Sequence, residues 1–143
     1  MLRRRKRERG TTASPDTTID EILSRARSAI ERSEPRQVLN EMESGAVVVD
    51  LRCPEERRRT GMIPGSIAVA RSVLEWRADP ASPWRDDRIA RRDSRLLLLC
   101  EQGYSSSLAA ESLHKLGFTR AGDIVGGMER WLEEGRPVEP APD

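Results

Sequence analysis

Aromatic residues make up only 3% of the chain, and no apolar stretch approaches the roughly 20 residues that span a bilayer. The basic first residues run into Gly10-Thr-Thr-Ala-Ser-Pro-Asp16, which is no signal-peptide core, so a cytoplasmic location without membrane association is expected. Cysteine occurs twice, at Cys53 and Cys100, too sparsely for a disulfide framework or a thiolate metal cluster. The single histidine, His114, has no partner at ligand spacing and reads as an ordinary surface residue of a helix. Zinc sites and histidine-based acid–base constellations are thereby disfavoured.

Charge is present in quantity but nearly balanced, with 25 basic against 24 acidic residues. Arg3, Arg4, Arg5, Lys6, Arg7 and Arg9 crowd the beginning against Glu8 alone, leaving a mildly acidic body. Such a run predicts a solvated, disordered arm over residues 1–15. It carries no interleaved aromatics for base stacking, so nucleic acid is not an expected partner. At 143 residues the chain has room for one ordinary domain that buries a core without disulfides or metal.

Periodicity then divides the rest. Thr18 and Glu21 have capping-box spacing, and Ile19, Ile22, Leu23, Ala26 and Ile30 predict an amphipathic helix to about Arg32, an N-terminal extension over 16–34. Pro35 opens a second helix that ends near Gly45. Ala46-Val-Val-Val49 and Leu96–Leu99 suit strands covered on both faces. Ile67–Val69 and Asp123–Val125 are shorter strands, and a helix follows Gly126-Gly127 with Trp131 inward. A short helix at Arg71–Arg77 carries Leu74 and Trp76, and a polar connection runs from it to Arg92. Strands alternating with helices predict parallel pairing, which brings the ends of 46–49 and 96–99 to one sheet edge. Asp50, Arg52 and Cys100 can therefore share a site.

Cys100 falls where a strand ends and a helix has not yet begun, so the N–H groups of the next residues lack helical partners. Converging N–H groups and the positive end of a helix dipole favour a thiolate over a thiol, and the same cradle suits an anionic substrate. The alternative is an inert buried cysteine, a common use of this residue. Position weighs against it, because open α/β sheets bind ligands beyond the carboxyl ends of their strands.

Five pieces of this sequence taken together resemble the rhodanese-like (sulfurtransferase) domain: Asp50-Leu-Arg52, Gly61-Met-Ile-Pro-Gly-Ser66, Leu99-Cys-Glu-Gln-Gly103, Ser106–Leu116 with Gly117-Phe118, and Gly126-Gly127-Met-Glu-Arg-Trp131. The resemblance implies a three-layer α/β domain over 35–138, a central mostly parallel sheet of about five strands with helices on both faces, and a short tail at 139–143. It also implies that Cys100 takes a sulfane sulfur from a small anionic donor such as thiosulfate and passes it to a thiol or cyanide-type acceptor, or to a protein. Such chemistry requires neither a metal nor an organic cofactor.

Glu101, Gln102, Gly103, Tyr104, Ser105 and Ser106 would form the anion-binding loop, with Asp50, Arg52 and Arg71 in support. The family usually has histidine where Met62 stands and arginine where Ser105 stands, so efficient use of a dianionic donor is in question. Arg52 is the first alternative source of positive charge and Arg71 the second. Arg52 has a third reading, an ion pair with Asp50 that orders the site without touching substrate. Cysteine phosphatases related to this fold need arginine where Ser106 stands. The remaining rival is a rhodanese-like domain used for binding or regulation.

Overall fold

The computed structural model describes residues 13–142, so most of the basic arm lies outside the described residues. Four parallel strands form the sheet in the order β2-β1-β3-β4: β1 is Val47–Asp50, β2 Ile67–Ala68, β3 Leu96–Leu99 and β4 Gly122–Asp123. The described sheet has four strands where about five were expected, and a single parallel bridge joins Ser33 to Ile124 beside β4. The register sets Asp50 opposite Leu99 and Leu98 opposite Asp123, so the three strand ends open on the same edge.

The leucine run of β3 is wholly buried because each face of the sheet is covered. Leu96 and Leu98 join Val49, Leu74, Leu113 and Phe118 on one side, while Leu97 and Leu99 join Val38, Val48, Met128 and Trp131 on the other. This period-two division makes β3 the wall between two cores. The first side is covered by helices α4 (Leu74–Ala78) and α5 (Ser105–Lys115), the second by α2 (Pro35–Glu43) and α6 (Gly127–Glu133). Helix α3 (Pro54–Thr60) lies between β1 and β2 in the chain and buries none of its residues.

Helix α1 (Ile19–Ala29) begins with the anticipated capping box, Thr18 with Glu21. It packs against α5, where Arg27 bonds Ser107, and buries Ala26, while Ile19 and Ile22 at its start are exposed. Trp76 differs in the same way: Leu74 is buried but Trp76 is exposed, because so short a helix presents only part of its circumference to the core. His114 is tethered rather than freely solvated, its Nε2 lying 2.9 Å from the Ala121 carbonyl. Glu139, placed by sequence in the tail, instead pairs with Met62 in a two-way backbone bridge. Met62 is buried there.

A candidate thiol site at the sheet edge

Cys100 is the first residue past β3 and its side chain is almost wholly buried. Its Sγ accepts from the backbone N–H groups of Gly103 at 3.1 Å and Ser106 at 3.4 Å, and lies 3.2 Å from the Ser106 hydroxyl. The loop can wrap a single atom because Gly103 adopts φ +85°, a left-handed conformation that glycine takes without strain. A side chain at Gly103 would also come within 2.9 Å of the Gly126 nitrogen.

Two other elements hold this loop in place. The N–H groups of Met128 and Glu129, at the start of α6, donate to the carbonyls of Cys100 and Glu101 at 2.9 Å each. From the opposite side α1 and the residues after it supply two guanidinium groups: Arg27 Nη2 and Arg32 Nη2 donate to the Gly103 carbonyl at 2.7 and 3.1 Å. Arg27 also bonds the Ser107 hydroxyl at 3.1 Å and lies over the Tyr104 ring, 5.6 Å from its centroid. Neither arginine was marked by sequence reasoning, since each reaches a loop some 70 residues away in the chain.

Asp123 was read only as a strand residue, yet it is fully buried beside the loop. Its Oδ2 accepts from Ser106 at 2.7 Å and Ser107 at 2.8 Å, and Arg32 Nε pairs with Oδ1 at 2.8 Å. Sequence reasoning did not mark it because Asp123 opened the expected strand Asp123–Val125, whereas in the structure it ends β4.

Of the residues named from sequence, Cys100, Gly103 and Ser106 converge at the sulfur. Gln102, Tyr104 and Ser105 are exposed around the loop, and Gln102 reaches Glu129 on α6 at 3.4 Å. Arg52 is buried and forked onto Asp50, with Nε to Oδ1 at 3.1 Å and Nη2 to Oδ2 at 2.9 Å. It also donates to Thr60 and the Gly61 carbonyl, and stands 3.6 Å from Glu101 Oε1, a buried oxygen otherwise unpartnered among the described residues. Burial opposes the charge on Arg52, but the bonds and charge of Asp50, with Glu101 beyond, outweigh it and hold the guanidinium more firmly protonated than usual.

Arg71 is paired as well. It is committed to Glu75, with both carboxylate oxygens 3.1 Å from Nη1, and Glu75 is bonded in turn by Ser112 of α5. Burial raises the Glu75 carboxyl, but Ser112 and Arg71 pull it below its ordinary value. Both arginines proposed as sources of charge are thus engaged by carboxylates. Cys53 is exposed at the start of α3, its N–H capped by Glu56 at 3.1 Å.

The Rhodanese-like domain family matches residues 34–134. Among solved structures, a Rhodopseudomonas palustris protein of unknown function, described as a possible tyrosine phosphatase, is 32% identical with a TM-score of 0.79, covering 90% of this chain and 99% of that one. A rhodanese-related protein from Thermoplasma volcanium is 29% identical with a TM-score of 0.63, covering 78% of this chain and 99% of its own. The adenylyltransferase and sulfurtransferase UBA4 of Candida albicans is 27% identical over 88 residues, 62% of this chain and 20% of that protein. The chain therefore spans about a fifth of the length of that curated relative. No described helix is long and apolar enough to cross a membrane. With its parallel sheet, its cysteine loop at the end of β3 and the family match over most of its length, the chain belongs to the rhodanese-like domain family.

Proposed function

We propose that the protein is a sulfurtransferase that carries sulfur as a persulfide on Cys100. The supporting observation is the Cys100 sulfur itself, at a strand end with two backbone N–H groups directed at it. In the first half-reaction the Cys100 thiolate attacks the sulfane sulfur of a donor. The donor's bond to that sulfur breaks, S–S in thiosulfate or a persulfide and C–S in 3-mercaptopyruvate, its remaining fragment leaves with the electron pair, and a Cys100 S–S bond forms. In the second, a thiol or cyanide-type acceptor, or a protein thiol, attacks the outer sulfur and restores the thiolate. The loop N–H groups stabilise negative charge as it moves outward by one sulfur atom.

The donor class follows from the arginines. Arg52 and Arg71 are both paired with carboxylates, and Ser105 offers only a neutral hydroxyl, so a dianion such as thiosulfate gains little at this loop. A persulfide of lower charge is the preferred donor. The relatives named as sulfurtransferases support the general reaction class.

Incubation with thiosulfate, 3-mercaptopyruvate and a low-molecular-weight persulfide, followed by intact mass measurement, tests the reading against Cys100→Ser as blank. The wild type should gain one sulfur atom, fastest from the persulfide, and release it to cyanide or thiol. If no donor adds sulfur, a binding or regulatory rhodanese-like module takes the place of the enzyme.

A further inference from the structure

We propose that Asp123 is a positioning residue for Cys100, acting through the hydroxyl of Ser106. The proposal rests on reading Cys100 as the reacting thiol. Ser106 has a single hydroxyl proton and two neighbours that can take it: Asp123 Oδ2 at 2.7 Å and Cys100 Sγ at 3.2 Å. Ser106 and Asp123 are fully buried, so water does not supply a further bond between them, while Cys100 keeps a small exposed surface.

While Cys100 is a thiol, its proton is donated to Ser106 Oγ and the Ser106 proton goes to Asp123, so every donor in the chain is used. When the thiol proton leaves to water, the sulfur becomes the better acceptor and the Ser106 hydroxyl turns toward it. Asp123 tolerates the loss because Ser107 still donates to Oδ2 and Arg32 to both oxygens, at 2.8 Å to Oδ1 and 3.3 Å to Oδ2. Once the persulfide forms, negative charge sits on the outer sulfur and Ser106 can return to Asp123. The carboxylate thus competes with the thiolate for one proton, and its pairing with Arg32 sets how hard it competes.

The other charged groups in the network around the loop are Arg27 from α1, the Asp50–Arg52 pair after β1, Glu101 in the loop and Glu129 on α6. On α5, His114 is tied to Ala121 near the far end, and on α4 Glu75 is tied to Arg71 and Ser112. All of these stay unchanged in the test, which varies Asp123, Ser106 and Arg32 in one common background.

The test is the rate of Cys100 alkylation by iodoacetamide against pH, in a Cys53→Ser background so that one thiol reports. Asp123→Asn should move the midpoint of the rate profile down by about one pH unit, because the amide frees the Ser106 proton for sulfur and removes a negative charge. Arg32→Gln should move it up. In a Ser106→Ala background the Asp123→Asn shift should fall to less than about half, since the coupling residue is gone.

An unmoved midpoint in Asp123→Asn, or an equal shift with and without Ser106, overturns the proposal. If Asp123→Asn fails to fold, the Arg32→Gln shift with and without Ser106→Ala decides by the same criterion. Alkylation needs no sulfur donor. A shift without sulfur loading would therefore retain the coupling and reject the sulfurtransferase, whereas loading without a shift would do the reverse.

Discussion

Asp50 and Arg52 are separated by one residue at the end of β1, and their side chains close into a two-pronged buried ion pair, Nη2 to Oδ2 at 2.9 Å and Nε to Oδ1 at 3.1 Å. The remaining Arg52 donors reach Thr60 and the Gly61 carbonyl, so one side chain ties the end of β1 to the end of α3. Removing one partner strands the other charge in the interior. Arg52→Ala should destabilise the fold by about 3–5 kcal/mol in chemical denaturation. Sulfur loading per folded molecule should change far less, and a selective loss of loading at unchanged stability would return Arg52 to the role of substrate ligand.

Gly127 has φ +62°, and a side-chain carbon there would sit 2.5 Å from the Cys100 carbonyl oxygen. Gly127→Ala combines a left-handed strain with this clash. It should cost more than about 1 kcal/mol in unfolding free energy and push the loop away from α6, so sulfur loading should fall as well. Parallel thermal unfolding and mass measurements check both effects.

Ser105 is exposed at the start of α5, where the family usually has a cation. Ser105→Arg should speed sulfur loading from thiosulfate by roughly tenfold or more while leaving a less charged persulfide donor little affected. Equal acceleration of both donors would mean that charge at this position does not govern donor choice.

Asp86 is buried in the connection before β3, and its carboxyl is lowered to about 2, first by the side-chain bond from Arg88, against the opposing effect of burial. A depressed folded-state value gives stability that is complete above about pH 4 and lost as pH falls toward 2. Because Arg88 is itself largely exposed, its share is discounted to on the order of 1 kcal/mol. Arg88→Gln should lower stability by that amount near neutrality and flatten its decline over this acid range, as read by denaturant midpoints at several pH values.

The strand, loop and helix around Cys100 were legible because their signals are local: an apolar run, a stretch with no apolar period, then apolar residues at helical spacing. The common edge for Asp50 and Cys100 followed from strand order alone. The partners that hold the loop from behind were not legible. Arg27 and Arg32 look like any solvated arginines in a charged helix until tertiary packing delivers them to Gly103. Asp123 gave no sign of its role because its serine partners lie 16 and 17 residues earlier in the chain. Arg52 was left between substrate ligand and ion pair, and its geometry is that of the ion pair. Arg71, named second as a source of positive charge, bonds Glu75.

The family match begins at residue 34, and both arginines that grip the Gly103 carbonyl stand before it. What can be transplanted from this protein is consequently longer than the family's own boundaries. A chimera taking only the matched span would inherit the cysteine and its N–H groups but not the two cations behind the loop. Relatives with the same loop but a different leading helix would then differ in reactivity for reasons invisible in an alignment of the domain itself.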